Sequence, residues 1–476
     1  MTGRTKETKE LNDLYDSGKA ELVAIYGRRR VGKTFLVNEL FADRMTFRHA
    51  GLSPADDEAM SSKKQLNHFY HSLLLHGMKK SRCPADWLEA FFMLEKLLME
   101  MDDGSRQLVF FDELPWLDTP KSGFMTAFEG FWNTWGCCRK NLMVVVCGSA
   151  SSWVLDKLVN NHGGLYGRVT YEIKLSPFTL KECEEYFLSR NVILSRYDVV
   201  QCAMCLGGIP YYLGYVKGTL SLEQNIDGLF FGTDAKLKGE YDRLFASVFS
   251  NPEQMKEIIE FVSKKNAGFY RNEIAEGLKK SEGGLLTKNL GALIESGFVE
   301  KYYPFGEGRK MARYRLADPF CIFYIHFVKN SERLSQAFWK SGGRSPAISS
   351  WRGFAFENIC FGHIKQIKDA LGITGVYTTQ SSWSIKGDGE SRGMQVDMII
   401  DRDDNIVNLC EIKFYGDSFT VDKGYYMTMM ERRTALEGLV PRKKAVRNVL
   451  ITTMGLKKNE YASVFSNVLT LDELFK

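Results

Sequence analysis

The chain has 476 residues, and at roughly 100–200 residues per domain this length predicts about three domains. Hydrophobic residues make up 44% and charged residues 25% of the sequence, which excludes a chain dominated by disorder or coiled coil. The longest clean apolar run, Leu142–Cys147, is far short of the ~20 residues that a membrane-spanning helix needs, so we expect no membrane partner. The net charge of +5 permits an anionic partner without requiring one.

The cysteines and histidines give no metal signature. The ten cysteines are scattered and the N-terminus is polar, which predicts a cytoplasmic protein with reduced thiols. Cys202 and Cys205 form one CxxC pair on an apolar helical segment, where core packing is favoured over a metal or redox site. His68, His71 and His76 share a helical stretch without matching cysteines, so zinc is not favoured there.

The first third alternates apolar runs with helical patterns. Buried strands are predicted at Leu22–Tyr26, Gln107–Phe111 and Leu142–Cys147, and a helix at Lys33–Phe41. This alternation indicates a parallel sheet with helices on both faces.

A phosphate-binding loop lies between the first strand and the first helix. It fits GxxxxGK[ST] in full, and its residues are Gly27, Arg28, Arg29, Arg30, Val31, Gly32, Lys33 and Thr34. Strand before and helix after is the context that this motif requires. Backbone N–H groups and the helix N-terminus would face the phosphates, Lys33 would reach the β- and γ-phosphates, and Thr34 would bind Mg²⁺. The motif therefore predicts ATP as ligand.

Other polar residues follow the later strands. Asp112 and Glu113 end an apolar strand, which suits Asp112 to Mg²⁺ and Glu113 to orienting and deprotonating the attacking water. Ser149 either senses the γ-phosphate or caps the next segment. Arg168 is either an arginine finger, which acting in trans would require a homo-oligomer, or a surface salt-bridge residue.

The middle of the chain changes rhythm. Helices are predicted at Leu180–Leu188 and Val199–Leu206, and then three helices and two strands follow in the order of a winged helix. They contain Met255–Val262, Ile274–Leu278, Gly284–Glu295, Phe298–Tyr303 and Met311–Leu316. The winged helix either contacts DNA, through wing residues Arg309, Lys310, Arg313 and Arg315, or serves as a structural connector.

The C-terminal part predicts a second site. A helix around Trp351–Leu371 precedes strands Val396–Ile400 and Ile406–Lys413, and a turn centred on Asp404 places Asp397 opposite Glu411. Opposed carboxylates destabilise a sheet unless a cation lies between them, and Mg²⁺ or Mn²⁺ takes oxygen ligands. Lys413 shares a strand face with Glu411 and would stabilise charge on a phosphate, and Glu357 fits as a fourth member. The basic segment Pro441–Arg447 either contacts a phosphate backbone or is a solvated loop.

Two family resemblances rest on these motifs. Residues 1 to about 320 resemble an AAA-related ATPase family found mainly in archaea and also in bacteria, within the wider STAND-like group. The matching elements are Gly3-Arg4 with Glu7, GRRRVGKT, FFDE, CGS, Gly167-Arg168 with the following LSPF, and GGIPYYL. The resemblance implies that Gly3 and Arg4 lie near the adenine and that Gly208-Ile209-Pro210 begins a lid beside the nucleotide. Residues from about 340 to 476 resemble a PD-(D/E)XK nuclease domain, which implies a metal at Asp397 and Glu411 and catalysis with Lys413 and Glu357.

We therefore expect an α/β chain with four parts. These are a P-loop NTPase core with a parallel sheet (1–178), a helical lid (179–249), a winged helix and linker (250–340) and a restriction-endonuclease-like α/β domain (341–476). The predicted function is an ATPase that regulates a metal-dependent DNA nuclease through the winged helix. The alternative is a nucleotide-gated DNA-binding switch or scaffold whose last domain does not cleave.

Overall fold

The computed structural model describes residues 2–53, 62–160, 163–307, 311–331, 335–342, 345–385 and 393–476. The chain forms two compact units. The first contains Met1–Pro177, Asp242–Pro252 and Gly291–Gly297, and the second contains Phe178–Tyr241, Glu253–Leu290 and Phe298–Lys476. Within the described residues, every helix is too short or too polar to cross a bilayer.

The N-terminal part alternates strands and helices. Its elements are α1 (Thr5–Tyr15), β1 (Glu21–Tyr26), α2 (Lys33–Phe41), β2 (Met45–Ala50), α3 (Ser62–Leu75), α4 (Trp87–Glu100), β3 (Gln107–Asp112), α5 (Phe124–Gly130), β4 (Leu142–Gly148), α6 (Ser151–Val154) and β5 (Tyr171–Lys174). The three strands predicted for this part are confirmed as β1, β3 and β4, and α2 has the predicted bounds.

The strands of this part form a parallel sheet in the order β2-β3-β4-β1-β5. Every residue of β1, β3 and β4 is buried, as continuous apolar runs predict for strands covered on both faces. Because β4 lies between β1 and β3, the residue after β4 is brought between the loop after β1 and the carboxylates after β3. This strand order assembles the first site.

The middle of the chain is mainly helical. Its elements are α7 (Leu180–Ser189), α8 (Arg196–Leu206), α9 (Pro210–Leu213), α10 (Leu222–Phe230), α11 (Glu240–Val248), α12 (Pro252–Val262), β6 (Phe269–Tyr270), α13 (Arg271–Gly277), α14 (Gly284–Glu295), β7 (Val299–Tyr302), β8 (Arg313–Leu316), α15 (Pro319–Phe323) and α16 (Phe338–Gly342). Cys202 and Cys205 are buried in α8, which agrees with core packing. The hairpin of β7 and β8 follows α12, α13 and α14, in the predicted order, and β6, which lies between α12 and α13, pairs with β8 to complete a small antiparallel sheet.

The C-terminal part is again mixed. Its elements are α17 (Pro346–Gly362), α18 (Ile364–Ala370), β9 (Thr378–Ile385), β10 (Met394–Arg402), β11 (Ile406–Lys413), α19 (Lys423–Glu437), β12 (Ala445–Thr452), β13 (Asn467–Leu469) and α20 (Leu471–Leu474). They build a sheet in the order β13-β12-β11-β10-β9, with β9, β10 and β11 antiparallel and β11, β12 and β13 parallel.

The prediction of a single helix at Trp351–Leu371 is wrong, because the helix is interrupted at His363, between α17 and α18. The Nδ1 of His363 lies 2.7 Å from the carbonyl oxygen of Ile359, and its Nε2 accepts a hydrogen bond from the backbone N–H of Leu180 at 3.0 Å. His363 therefore joins α7 to the start of the C-terminal part, a contact that local periodicity does not reveal.

An aromatic cluster joins four helices of the second unit. The ring of Phe323, at the end of α15, lies 5.2 Å from that of Trp339 and 5.4 Å from that of Trp351. The ring of Phe230 from α10 lies 4.8 Å from the same Phe323 ring. Such edge-to-face aromatic packing adds to simple area burial, so α10, α15, α16 and α17 are held together.

Candidate functional site

The phosphate-binding loop has the backbone that its glycines predict. Gly27 has φ +146° and Gly32 φ +95°. A Cβ built on Gly27 would lie 2.2 Å from the carbonyl oxygen of Leu175, so only glycine fits there. Arg30, at φ +71°, is also left-handed. Arg28 is buried, and Arg29 and Arg30 are half-buried.

Lys33 is buried within this loop. Its Nζ donates to the carbonyl oxygens of Gly27 and Arg28, at 2.9 and 3.1 Å, and to Ser149 Oγ at 3.0 Å. Burial lowers the pKa of Lys33, and the charge of Glu113 opposes this. The ammonium is thus oriented by the loop and by the end of β4.

Thr34 and Asp112 meet at the end of β3. Thr34 Oγ1 donates to Asp112 Oδ1 at 3.0 Å. Burial, followed by the charge of Glu113, raises the pKa of Asp112, and the Thr34 hydrogen bond opposes this rise. A hydroxyl and a carboxylate oxygen therefore lie side by side, next to the loop.

Glu113 is held by Ser149. Ser149 Oγ donates to Glu113 Oε1 at 2.5 Å, and the backbone N–H of Ser149 donates to Oε2 at 3.0 Å. Glu113 itself has the left-handed backbone angle φ +46°, which is strained for a residue with a side chain. Since Ser149 Oγ also accepts from Lys33, one hydroxyl links the lysine to the carboxylate.

Arg4 connects the N-terminus to the loop. Its guanidinium donates to the carbonyl oxygens of Val31 at 3.2 Å and Ser176 at 2.6 Å, and it is 5% exposed. Gly3 and Arg4 both have left-handed backbone angles, φ +68° and +59°. The pair predicted from the resemblance thus lies against the phosphate loop, while its position near adenine stays a prediction.

Two further residues, Arg168 and Pro210, were predicted to act at the nucleotide. Arg168 is exposed in the segment before β5, and among the described residues no carboxylate forms a salt bridge with it. Pro210 is the first residue of α9 in the second unit, after Gly208 with φ +64°. The roles of Arg168 and Pro210 at a nucleotide stay predictions.

The C-terminal hairpin has the predicted register. Met398 pairs with Cys410 and Asp401 with Val407, which are the pairs of a turn centred on Asp404. Continued by one residue, this register places Asp397 opposite Glu411, and Asp397 Oδ2 accepts from the backbone N–H of Ile412 at 2.9 Å.

Lys413 lies between these two carboxylates. Its Nζ is 2.6 Å from Glu411 Oε1 and 3.9 Å from Asp397 Oδ2. Burial lowers the pKa of Lys413, but the charges of Glu411 and Asp397 outweigh burial and raise the pKa above its usual range. Burial and then the charge of Asp397 raise the pKa of Glu357, on α17, to about 8. Asp397, Glu411 and Lys413 are thus brought together, and the charges of all three act on Glu357.

Two members of this cluster were not predicted from the sequence. Tyr425 Oη donates to Glu411 Oε1 at 2.5 Å, and Arg432 Nη1 lies 2.6 Å from Glu411 Oε2. Both side chains come from α19. The seven-residue spacing of Tyr425 and Arg432 puts both on one helix face, and it becomes informative only once that face is known to meet Glu411.

Comparison with known proteins gives a match for the first part of the chain. Residues 1–216 match the model of an ATPase domain found predominantly in Archaea. Residues 1–216 therefore form an archaeal-type ATPase domain. The chain is also 28% identical over 363 residues to the uncharacterized protein MJECL04 of Methanocaldococcus jannaschii, which covers 75% of each chain.

Solved structures give weaker likenesses. The Walker-type ATPase PABY2304 of Pyrococcus abyssi is 17% identical, with a TM-score of 0.48 over 69% of this chain and 96% of that one. The ORC2 protein of Aeropyrum pernix, solved with ADPNP and ADP, is 14% identical, with a TM-score of 0.36 over 70% of this chain and 96% of that one.

The ATPase domain offers a fitting place for Mg²⁺ beside ATP. Mg²⁺ prefers oxygen ligands, keeps several waters and is usually held by few protein groups together with substrate phosphates. Thr34 Oγ1 and Asp112 Oδ1, 3.0 Å apart and next to the phosphate loop, provide such a donor set. These two residues would hold the ion.

The C-terminal cluster does not fit a divalent cation in the same way. Among the described residues, no three histidine, cysteine, aspartate or glutamate side chains are placed to hold a metal ion together. Both oxygens of Glu411 are occupied by Lys413, Tyr425 and Arg432. The predicted metal roles of Asp397 and Glu411 are therefore not matched by this arrangement.

Two arginines of the predicted wing have partners within the protein. Arg313 lies over the ring of Tyr270 and donates to its Oη at 2.8 Å. Arg315 is 6% exposed, and its guanidinium lies 3.9 Å from the centre of the Phe361 ring and pairs with Glu300. Arg313 and Arg315 therefore make contacts within the protein, and contact of the wing with DNA stays a prediction; Arg309 and Lys310 lie outside the described residues.

Proposed function

We propose that the ATPase domain binds ATP with Mg²⁺ and hydrolyses it at the site formed by the loops after β1, β3 and β4. The backbone of Gly27–Gly32 and the N-terminus of α2 face the phosphates, where N–H groups and the helix dipole favour negative charge. Lys33 supplies a fixed positive charge to the β- and γ-phosphates.

Mg²⁺ would neutralise charge that develops on the phosphate oxygens. Thr34 and Asp112 would hold the Mg²⁺ ion through their side-chain oxygens. The Thr34 hydroxyl donates its hydrogen to Asp112, which leaves the lone pairs of Thr34 Oγ1 available to the ion. Burial and then the charge of Glu113 raise the pKa of Asp112, and a cation bound beside this carboxylate would oppose that rise.

Glu113 is the proposed general base. A base has to lie within hydrogen-bond reach of the attacking water and has to be oriented toward it. The observation that carries this proposal is the hydrogen-bonded chain Lys33–Ser149–Glu113, in which one hydroxyl fixes the carboxylate relative to the phosphate-binding ammonium. Ser149 is therefore a positioning residue, which favours its role as a sensor over a simple helix cap.

Three further residues complete the proposal through the family resemblance. Arg4 with Gly3 would border the adenine, and Pro210 would begin the lid. Arg168 would supply a positive charge to the transition state, in cis or from a second copy in a homo-oligomer. Its exposure supports availability to such a partner.

The substitution Lys33→Ala tests this function. It removes the ammonium but leaves the loop glycines in place, so we expect loss of ATP turnover and strongly weakened nucleotide binding. Phosphate release and binding of a fluorescent ATP analogue measure the two effects separately. Turnover at the parent rate by the Lys33→Ala variant would contradict the proposal.

For the C-terminal domain we propose the role of a nucleotide-controlled DNA-binding element. Two versions follow from the sequence, a metal-dependent nuclease and a non-cleaving binding domain. The occupied oxygens of Glu411 favour the second version. Exposed Arg442, Lys443 and Arg447 before and within β12 are available for phosphate contacts.

A salt titration tests the DNA role. Each phosphate contact contributes about 0.9 to the slope of log K against log salt on duplex DNA. Replacing Arg442 and Lys443 by Gln is expected to lower that slope by about 2. Fluorescence anisotropy with labelled duplex DNA, with and without ATP, measures it, and an unchanged slope would exclude this basic segment from the interface.

A further inference from the structure

The carboxylate of Glu411 has three side-chain partners, at least one on each oxygen. Lys413 Nζ and Tyr425 Oη approach Oε1 at 2.6 and 2.5 Å, and Arg432 Nη1 approaches Oε2 at 2.6 Å. Glu411 is 2% exposed, so its carboxylate is withdrawn from bulk solvent. Two positive charges and one hydroxyl donor thus face a single buried carboxylate.

The neighbouring carboxylate is also engaged. Asp397 Oδ2 accepts from the backbone N–H of Ile412 at 2.9 Å and lies 3.9 Å from Lys413 Nζ. A divalent cation needs several oxygen ligands with free lone pairs at about 2.0–2.6 Å. At this position it would approach Lys413 and Arg432, whose positive charges repel it.

The donors are fixed by the packing of α19. Its Met429 and Leu436 are fully buried in the core of the C-terminal domain, and Asp422 caps its first turn by accepting from the backbone N–H of Tyr425 at 2.8 Å. Tyr425 and Arg432 therefore belong to an anchored helix. A charge pair held in this way keeps its geometry, and removing one partner leaves a buried charge without compensation.

We propose that Arg432, together with Tyr425 and Lys413, takes the place of a divalent cation at Glu411, so that the C-terminal domain does not bind Mg²⁺ or Mn²⁺ there. The sheet keeps its opposed carboxylates because side-chain cations, not a metal, balance them. This inference deepens the proposed DNA-binding role and rests on it for its biological meaning. It accounts for a cluster of nuclease-like residues in a domain that binds without metal-dependent cleavage.

Mn²⁺ binding to the full chain, followed by electron paramagnetic resonance without nucleotide, tests the proposal. The parent and Glu411→Gln are expected to bind the same number of ions. The double variant Arg432→Met with Tyr425→Phe is expected to gain one bound Mn²⁺ per chain, and adding Glu411→Gln should remove that ion again. Arg433→Met is the matched control, because Arg433 is the next residue of α19 and pairs with Glu437 at 2.8 Å; it should bind like the parent.

Two results would overturn the proposal. One is an Mn²⁺ ion in the parent that is lost on Glu411→Gln or Asp397→Asn. The other is a double variant that melts like the parent but gains no ion, because Arg432 and Tyr425 would then not be what excludes the cation. Failure of DNA binding in the salt titration is a separate outcome, which removes the DNA role and leaves the metal measurement standing.

Discussion

Replacing Ser149 by Ala removes the hydroxyl that links Lys33 to Glu113. The lost contacts are the hydrogen bond of 2.5 Å to Glu113 Oε1 and that of 3.0 Å from Lys33 Nζ. The backbone N–H of Ser149 and the two loop carbonyls that bind Lys33 remain. The variant therefore keeps the phosphate-binding contacts of Lys33, but the carboxylate of Glu113 is held less firmly.

The expected loss of activity follows from the charges of Glu113 and Lys33, the two partners of the Ser149 hydroxyl. A hydrogen bond to a charged group is worth about 1.5–3 kcal/mol. If about 2 kcal/mol of the Glu113 contact acts only in the transition state, kcat falls about 30-fold. KM for ATP should change little, because Lys33 retains its loop contacts.

Steady-state phosphate release over a range of ATP concentrations separates kcat from KM. Ser151→Ala is the matched control, since Ser151 is also buried but its hydroxyl has no hydrogen-bond partner among the described residues. It should hydrolyse ATP at the parent rate. A Ser149→Ala variant with unchanged kcat, or one in which only KM rises, would refute the reasoning.

Three further predictions follow from buried groups. Burial, followed by the charge of the neighbouring His68, lowers the pKa of His49 to about 3. As the pH falls below about 6.5, the unfolded chain therefore binds a proton at His49 that the folded chain does not bind. This difference lowers the free energy of unfolding by about 2 kcal/mol at pH 5 relative to pH 8. Thermal unfolding should show this fall in the parent and less of it in His49→Gln, and equal falls would contradict it. Gly27→Ala should abolish binding of a fluorescent ATP analogue because its Cβ would overlap backbone, whereas Gly228→Ala, with open space around its Cβ, should bind normally. Arg315→Gln should destabilise the protein by about 1–2 kcal/mol through loss of its ion pair and ring contact, measured by urea unfolding, and an unchanged midpoint would show that these contacts are not stabilising.

Local sequence patterns predicted the elements around the first site because local interactions determine them. The strand of β3 is a continuous apolar run, and Lys33–Phe41 begins directly after a glycine that the loop requires. Strands β2 and β9 were not predicted, since β2 carries Arg48 and His49 and β9 is largely polar. Both lie at sheet edges, where apolar alternation is weak.

Contacts between distant segments were the part that sequence patterns could not supply. The hairpin register followed from one turn, so Asp397 and Glu411 were placed opposite each other. Arg432 was missed because its meeting with Glu411 depends on how α19 packs on the sheet. Arg315 was predicted to be a surface cation for the same reason, since the local sequence does not show that its guanidinium packs on the ring of Phe361.

Single-turnover hydrolysis of ATP by Glu113→Gln tests the central claim most directly. The substitution keeps the size of the side chain and removes the proposed base, while Lys33, Thr34 and Asp112 remain. We expect ATP to bind with nearly the parent affinity and to remain largely unhydrolysed over many parent turnover times. Hydrolysis by the variant at the parent rate would contradict the assignment of Glu113 as general base.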